Sequence, residues 1–245
     1  MPVIEISNLR KSYGETVAVT DVTFTVDSGE IFGILGPNGA GKTTTVELLS
    51  GLRKRDGGAV RVLGKDPDHA GAELRELVGV QLQESELPER IRVWEALELY
   101  SSFYRDPADW RELLDALGLS ARRNARFGTL SGGQKQRLSI ALALVGDPKV
   151  AVLDELTTGL DPAARRETWA LIESVRNRGV TVVLVTHFMD EAERLCDRVA
   201  VIDGGRTVAV DTPAALIAKV QADHGLARAT LEDAYLALTG HEIGV

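Results

Sequence analysis

A glycine-rich loop between an apolar run and a helical pattern restricts the fold of this chain more than any other feature. Residues 30–35 (EIFGIL) are apolar enough for a strand that is buried on both faces. Residues 36–43 (GPNGAGKT) then match the pattern G-x-x-x-x-G-K-[ST], and residues 43–49 have helical periodicity. Glycines let several backbone N–H groups turn toward one phosphate group, and the helix that follows adds the positive end of its dipole. The sequence therefore predicts a strand–loop–helix unit that binds a nucleoside triphosphate.

This phosphate loop, residues 36–43, also carries side chains suited to a triphosphate and its metal ion. Lys42 supplies a mobile cation for the β and γ phosphates, and the Thr43 hydroxyl can ligate Mg²⁺. The motif alone specifies the nucleotide and no reaction, because kinases, GTPases, motors and transporters share it. The residues that we predict to contact the nucleotide here are Gly36, Pro37, Asn38, Gly39, Ala40, Gly41, Lys42, Thr43 and Thr44.

Length, composition and charge fit a globular protein that has one core with a lobe inserted in it. The chain has 245 residues, of which 44% are hydrophobic and 26% are charged, and its net charge is -8. This acidic balance does not favour a nucleic-acid partner, and we expect none. The longest fully apolar stretch, residues 140–145, is far shorter than the roughly 18 residues of a membrane-spanning helix. With one cysteine, Cys196, and no visible signal peptide, the cytosol is the expected compartment.

Strand-like and helix-like segments alternate along the chain, which predicts an α/β fold with a mainly parallel sheet. Strands are predicted over residues 3–6, 23–26, 30–35, 149–153, 180–185, 199–202 and 207–210. Helices are predicted over residues 43–49, 72–78, 93–104, 109–117, 131–145 and 163–178. The stretch at residues 84–145 has no convincing strand. We interpret it as a helical lobe inserted into an α/β core of residues 1–83 and 146–245, within a single domain.

Two adjacent carboxylates follow the strand predicted at residues 149–153. The carboxyl ends of strands are where ligands bind in open α/β sheets, and the phosphate loop also follows a strand. Asp154 would hold Mg²⁺ through water, and Glu155 would polarise the water that attacks the terminal phosphate. The alternative is a pair of surface acids at a strand end.

A second glycine pair opens the helix predicted over residues 131–145. Residues 130–134 read LSGGQ, so two glycines expose backbone N–H groups at a helix N-terminus and Ser131 adds a hydroxyl donor. The sequence therefore predicts a second anion-binding loop, formed by Ser131, Gly132, Gly133 and Gln134.

With this pentapeptide the sequence resembles the ATP-binding cassette (ABC) family, whose signature is LSGGQ. The resemblance covers nearly the whole chain, and its landmarks occur in the expected order. It implies an ATP hydrolase with a P-loop NTPase (RecA-like) core, a small N-terminal antiparallel β subdomain and an inserted α-helical subdomain. ATP and Mg²⁺ are the implied cofactors, and a second cassette is the implied partner. Each ATP would lie between the phosphate loop of one subunit and the signature loop, residues 130–134, of the other in a head-to-tail dimer. We expect a homodimer, and a paralogous partner is the alternative.

Further landmarks of the family match single residues of this chain. Tyr13 resembles the aromatic residue that stacks on adenine, with a packing role as the alternative. Gln83 resembles the glutamine that touches Mg²⁺ and the attacking water, and Gln81 is the rival assignment. Asp161 resembles the aspartate of the loop that crosses the dimer interface, and His187 resembles the histidine that contacts the γ-phosphate. The implied catalytic residues are Glu155, His187, Gln83 and Lys42, and the implied metal ligands are Thr43, Gln83 and Asp154.

One position departs from the family pattern. Most members have proline directly after the catalytic glutamate, whereas this chain has Leu156. Proline fixes φ and lacks an N–H, so leucine puts the geometry of the loop leading to Asp161 in question. All the expected catalytic groups are present, which predicts an active cassette.

Two segments, residues 81–104 and 186–206, resemble cassettes of the daunorubicin-resistance type. The resemblance implies an exporter of drugs, lipids or polysaccharides that works with a separate transmembrane permease. The chain would be cytoplasmic and peripheral on the inner face of the cell membrane, which it would contact only through the permease. Residues 84–88 and Trp94 would receive the permease, unless the aromatic face around Trp94 is simply the core of the lobe. The alternatives are an importer cassette, a soluble ABC ATPase of an assembly pathway and a nucleotide sensor without hydrolysis.

Overall fold

The computed structural model describes residues 2–82, 87–225 and 227–240 of the chain. The chain divides into two compact units, the first formed by Met1–Gly71 with Val183–Val245 and the second by Ala72–Val182. Within the described residues, no helix is both long and apolar enough to cross a membrane. The lobe predicted at residues 84–145 falls within the range of the second unit, and its boundaries stay a prediction.

Strands and helices alternate through the described residues. The strands are β1 (Pro2–Tyr13), β2 (Thr16–Asp27), β3 (Ile31–Leu35), β4 (Gly57–Val62), β5 (Val78–Gln81), β6 (Val150–Asp154), β7 (Thr181–Thr186), β8 (Arg198–Asp203) and β9 (Arg206–Asp211). The helices are α1 (Lys42–Leu49), α2 (Gly71–Arg75), α3 (Val93–Ser101), α4 (Trp110–Ala116), α5 (Gly132–Leu144), α6 (Pro162–Asn177), α7 (Met189–Leu195), α8 (Pro213–His224) and α9 (Leu231–Thr239).

The sheet of the first unit mixes parallel and antiparallel pairing. Its strands lie in the order β4-β1-β2-β9-β8-β3, followed by β7, most of which belongs to this unit. β1 pairs antiparallel with β2 and with β4, and β8 pairs antiparallel with β9. β3 pairs in parallel with β8, and β2 meets β9 in parallel. The antiparallel pairs of the unit therefore join β1 with β2 and β4, and β8 with β9.

The burial of these strands follows their place in the sheet. Ile4, Ile6 and Leu9 of β1 are buried between exposed neighbours, as expected for a strand with one face on the core. All residues of β3 are buried, which is typical of a strand covered on both faces. Phe24 of β2 stacks on Phe32 of β3, with ring centroids 5.1 Å apart. The strand that precedes the phosphate loop is therefore anchored in the core of the first unit.

The second unit contains a parallel strand pair and a set of packed helices. β5 and β6 pair in parallel, with Val78 opposite Val150 and Gln81 opposite Leu153. Because this register aligns the carboxyl ends of both strands, residues that follow them lie at one edge of the pair.

The face around Trp94, formed by Trp94, Leu97 and Tyr100 of α3 and by Tyr104 after it, is partly buried in the second unit. Leu97 is fully buried, and Trp94, Tyr100 and Tyr104 are half-buried. This burial supports the interpretation of that face as the core of the lobe. Of the residues expected to receive a permease, Glu84, Ser85 and Glu86 lie outside the described residues.

The structure differs from the sequence prediction at two strands. The sequence predicts a helix over residues 72–78, but α2 ends at Arg75 and Val78 begins β5. Leu74 and Val78 have helical spacing, and the pairing of β5 with β6 overrides that local signal. β4 has no predicted counterpart, because only Val60 and Val62 of it are buried and its two glycines weaken the pattern.

A bidentate ion pair fixes the segments that flank β4 in the first unit. Arg55 donates from Nη1 to Asp66 Oδ1 at 2.7 Å and from Nη2 to Asp66 Oδ2 at 2.6 Å. Nη1 of Arg55 also lies 3.3 Å from Oδ2 of Asp68. The hydrogen bonds from Arg55 hold the pKa of the Asp66 carboxyl well below its usual range.

We expect Asp66→Asn to lower the free energy of unfolding at pH 7 by about 1–2 kcal/mol, because it removes a charge-assisted pair. The pKa of Asp66 is lower in the folded chain than in the unfolded chain. The pair therefore stabilises the protein above the ordinary carboxyl pKa of about 4, and this contribution is lost as the pH falls below it. Urea unfolding between pH 7 and pH 3 measures both effects. The exposed Glu15 provides the control, and an equal loss in Glu15→Gln would contradict the prediction.

Candidate functional site

The backbone of the phosphate loop approaches neighbouring strands too closely for side chains. A Cβ atom on Gly36 would lie 2.2 Å from the carbonyl oxygen of Ile202 in β8. A Cβ atom on Gly41 would lie 2.5 Å from the carbonyl oxygen of Ala18 in β2, and Gly41 has a left-handed φ of +98°. Both positions therefore require glycine.

Lys42, the first residue of α1, folds back over this loop. Its Nζ donates to the carbonyl oxygens of Gly36 and Pro37 at 2.9 and 3.0 Å, and the residue is only 5% exposed. The ammonium group is thus held against the loop backbone near the N-terminus of α1, where the helix dipole favours an anion. Thr43 is exposed and Thr44 is half-buried. The first unit therefore presents backbone amides, a cation and a hydroxyl within one short segment.

The ring of Tyr13 is exposed at the end of β1 and has two cations near it. The residue is 39% exposed, and its ring centroid lies 5.3 Å from Lys11 Nζ and 5.8 Å from Arg53 Cζ. Asp56 fixes this strand end, because it accepts hydrogen bonds from Lys11 Nζ at 2.8 Å and from Ser12 N at 2.7 Å. An exposed ring on a fixed strand end can stack on a base.

His187 directly follows β7, all of whose residues are buried. The residue is half-buried, and its ring centroid lies 4.1 Å from that of Phe188. Phe188 N donates to Thr186 Oγ1 at 3.0 Å, which fixes the backbone on both sides of the histidine. The structure therefore places His187 at the carboxyl end of a core strand, as the sequence predicts.

The paired carboxylates lie at the end of β6 in the second unit. Asp154 is fully buried, and Glu155 is 9% exposed. Glu155 has a left-handed φ of +48°, which costs free energy in a residue with a side chain and recurs at active sites, although Asn8, Leu63 and Asp147 share it here. Leu156, which stands where most family members have proline, is fully buried and anchors the chain after the glutamate.

Gln81 of β5 is tied to Asp154 in a way that the sequence does not predict. Its Oε1 accepts a hydrogen bond from Asp154 N at 3.1 Å, its Nε2 donates to Leu82 O at 2.8 Å, and the residue is 6% exposed. Gln81 thus fixes the strand that carries the carboxylates. Gln83 lies outside the described residues, so its role at the metal ion stays a prediction. Two glutamines stand two positions apart in this segment, so residue type and spacing could not separate these roles.

Two side chains of the second unit cap neighbouring helices. Ser131 Oγ accepts from Gln134 N at 3.3 Å, and Gln134 Oε1 accepts from Ser131 N at 3.0 Å, so α5 has a complete capping box. Asp161 caps α6 by accepting from Ala163 N at 2.9 Å and Ala164 N at 3.0 Å, and these amides lower the pKa of its carboxyl. A hydroxyl that accepts a hydrogen bond keeps its own proton for donation, so Ser131 can still bind an anion.

One cavity of about 330 Å³ joins these two helix starts. The glycine amides at the N-terminus of α5 and the Ser131 hydroxyl can donate to an anion here, whereas the first amides of α6 already donate to Asp161. Its lining includes Ser131, Gly132, Gly133, Gly159, Leu160 and Asp161. The structure thus brings the two predicted interface loops of this unit together.

Comparison of the sequence with known proteins identifies the family. The family model described as ABC transporter matches residues 19–158. A protein of Burkholderia lata named Nod factor export ATP-binding protein I is 42% identical, and the match covers 98% of this chain and 83% of that protein. The protein of the same name from Rhizobium etli is 44% identical, with 89% of this chain and 70% of that protein covered.

Solved structures agree with the sequence comparison. An ATP-binding subunit of an ABC transporter superposes with a TM-score of 0.83 at 29% identity, covering 97% of this chain and 99% of that one. A cassette of an ABC transporter in its ADP conformation gives a TM-score of 0.76 at 26% identity, covering 86% and 91%. These likenesses confirm the predicted α/β ABC ATPase fold with its P-loop NTPase core. The chain belongs to the ABC transporter family, and within it is an ATP-binding subunit that hydrolyses ATP to drive transport.

Proposed function

We propose that this subunit powers the export of a drug, lipid or polysaccharide through a separate membrane permease. The proposal rests on sequence identity of 42% and 44%, over most of the chain, to two proteins named for Nod factor export. We assign the chain to the daunorubicin-resistance type of cassette, because residues 81–104 and 186–206 resemble that type. It would lie on the inner face of the cell membrane, bound to the permease.

In this proposal the first unit binds ATP. Adenine stacks on Tyr13, whose exposed ring has Lys11 and Arg53 beside it. Backbone amides of residues 36–44 and the ammonium group of Lys42 bind the phosphates. Lys42 already contacts two carbonyls of the loop, so its charge is positioned before the nucleotide arrives.

The donor chemistry of the proposed metal ligands fits Mg²⁺. Magnesium prefers oxygen ligands and is usually held by one or two carboxylates together with substrate phosphates. Thr43 offers an exposed hydroxyl and Asp154 a fully buried carboxylate, and the described residues contain no separate cluster of metal-binding side chains. Thr43, Asp154 and Gln83 would hold the ion, whose chemistry is to neutralise charge on the phosphates.

Hydrolysis is assigned to a small set of side chains. A water oxygen attacks the γ-phosphorus while the bond to the leaving ADP oxygen breaks, which yields ADP and inorganic phosphate. Glu155 accepts the proton of this water, and Gln83 orients the water. His187 donates a hydrogen bond to the γ-phosphate, where negative charge must be stabilised.

A second copy of the chain completes each site. The signature loop and Asp161 line the cavity of about 330 Å³, which offers amides and a hydroxyl to the γ-phosphate of the partner subunit's ATP. Two ATP molecules then join the two copies head to tail, and hydrolysis lets them separate. The permease converts this closing and opening into alternating access.

We expect Ser131→Ala to lower kcat by roughly tenfold, because a donor to the transferred phosphoryl group is lost. ATP-driven dimerisation weakens, while ATP binding by the monomer changes by less than about twofold, because the monomer holds ATP through the phosphate loop. Steady-state kinetics, sedimentation and calorimetry measure these three quantities. The matched control is Thr212→Ala, which removes a similar cap from α8, where Thr212 Oγ1 accepts from Ala215 N at 3.1 Å. If the monomer lost ATP binding in Ser131→Ala but kept it in Thr212→Ala, the proposed dimer site would be wrong.

Export itself is tested by purifying the tagged chain from its own membranes and by measuring transport in cells. We expect a multi-span permease to copurify with it, and Glu155→Gln to raise the cellular accumulation of a fluorescent drug or lipid. Copurification with soluble assembly proteins alone would favour the assembly ATPase instead. Reduced uptake of a nutrient in the variant would indicate an importer.

A further inference from the structure

The first turns of α5 and α6 pack directly on each other in the second unit. A Cβ atom on Gly132 would lie 3.5 Å from Leu160 Cδ2, and one on Gly133 would lie 3.4 Å from Ala164 Cβ. A methyl group at either glycine would already reach van der Waals distance of α6 or of the interface loop, residues 159–161, so the glycines let the first turn of α5 lie close to both. The signature loop at the start of α5 therefore lies next to the interface loop at the start of α6.

An ion pair continues this contact one turn further along both helices. Arg137 lies four residues after Gly133 and Glu167 three residues after Ala164, which places each on the same helix face as its predecessor. Nη2 of Arg137 contacts the Glu167 carboxylate. Both side chains line the same cavity as Ser131.

The guanidinium of Arg137 also lies close to the segment that follows α4. A Cβ atom on Gly118 would lie 3.0 Å from Arg137 Nη1, so the guanidinium lies against the backbone that follows α4. The side chain of Arg137 is 24% exposed, compared with 60% for Glu167. Arg137 is therefore the more enclosed member of the pair, and Glu167 is the more exposed one.

The Arg137–Glu167 pair is expected to affect the rate of ATP hydrolysis far more than the stability of the fold. An ion pair with one exposed member adds little to the stability of a fold. In contrast, a displacement of about 1 Å in a group that binds a reacting substrate can cost on the order of 100-fold in rate. Any contribution of this pair should therefore appear in turnover and not in unfolding.

We infer that Arg137 and Glu167 are positioning residues that hold the signature loop and the interface loop in one fixed arrangement. Together the two loops then meet the ATP of the partner subunit as a single surface. In this inference the pair acts on the bound ATP only through the placement of Ser131 and Asp161, beside which both side chains line the cavity. This inference rests on the proposed role of the signature loop in the dimer.

The test uses Glu167→Gln in the full chain, with Glu112→Gln as the matched control on the exposed face of α4. We expect kcat for ATP hydrolysis to fall about fivefold in Glu167→Gln, with a similar loss in ATP-driven dimerisation. ATP binding by the monomer and the thermal unfolding midpoint stay unchanged, and Glu112→Gln behaves as the parent chain. A merely structural role would lower the unfolding midpoint together with kcat.

Exchanging the two charges provides the rescue experiment. Arg137→Glu and Glu167→Arg each place like charges next to each other, so each single variant should lose turnover. The double variant restores opposite charges, and we expect it to recover at least half of the lost kcat. A double variant as slow as either single variant would overturn the inference, and so would an unchanged kcat in Glu167→Gln.

Ser131→Ala, measured in parallel, separates this inference from the function on which it rests. If Ser131→Ala leaves turnover and dimerisation unchanged, the proposed contact of the signature loop with ATP is wrong. If Ser131→Ala impairs both but Glu167→Gln impairs neither, the signature loop keeps its role and only the positioning pair is wrong.

Discussion

Replacing Glu155 with glutamine should lower kcat for ATP hydrolysis by about 10²–10⁴-fold and leave ATP binding intact, because an amide cannot accept the proton of the attacking water. Glutamine has nearly the same shape as glutamate, so the buried environment of residue 155 is preserved. The variant should therefore bind ATP and remain in the dimer, because the step that opens the dimer is blocked. Phosphate release and equilibrium ATP binding measure the two effects.

Glu98 provides the control for this substitution, because it is an exposed glutamate on α3 in the same unit. Glu98→Gln should hydrolyse ATP at the parent rate. If Glu155→Gln retained hydrolysis within about threefold of the parent chain, the assignment of the general base would be wrong.

Replacing Lys42 with methionine should weaken ATP binding by roughly 30- to 100-fold, because charge-assisted hydrogen bonds to phosphate are lost. Methionine is also unbranched, so it fills the space of the lysine stem. It cannot donate to the carbonyls of Gly36 and Pro37, which the ammonium group now contacts. Titration calorimetry with ATP measures the loss, and the thermal unfolding midpoint shows whether the fold is kept.

Lys219→Met is the matched control, because Lys219 is exposed on α8. It should bind ATP with the affinity of the parent chain. An unchanged affinity in Lys42→Met would show that the phosphates bind elsewhere, and the phosphate loop would lose its assigned role.

The glycine-rich loop could be predicted in detail because its sequence requirements are local. Gly36, Gly41 and Lys42 all lie within residues 36–43, so their pattern is visible in one short segment. The same holds for the signature loop, where Ser131 and Gln134 form a capping box that is visible in the sequence. Each short segment was therefore enough to predict its loop, although the close approach of Gly36 and Gly41 to other strands is seen only in the structure.

Other features depend on contacts that local patterns do not encode. The sequence does not predict β5, because Leu74 and Val78 have helical spacing. The strand is recognised from its pairing with β6. The hydrogen bond from Asp154 N to Gln81 and the ion pair between Arg137 and Glu167 join residues far apart in the sequence. No periodicity in one segment could have indicated these contacts.

The role of Leu156 also becomes clear only from the structure. A residue that precedes proline is biased toward extended backbone, whereas Glu155 has a left-handed φ of +48°. Leucine is compatible with this conformation, and its fully buried side chain anchors the loop that leads to Asp161. The departure from the family pattern thus coincides with an unusual backbone at the proposed catalytic residue.

In the proposed mechanism, ATP joins two copies of this chain through the signature loop. The most direct measurement is sedimentation of Glu155→Gln with and without ATP, beside the same variant carrying Ser131→Arg. We predict that ATP converts Glu155→Gln from monomer to dimer, whereas the double variant binds ATP equally well and stays monomeric. The proposed dimer would be wrong if the double variant dimerised as tightly as Glu155→Gln. It would also be wrong if Glu155→Gln stayed monomeric at saturating ATP.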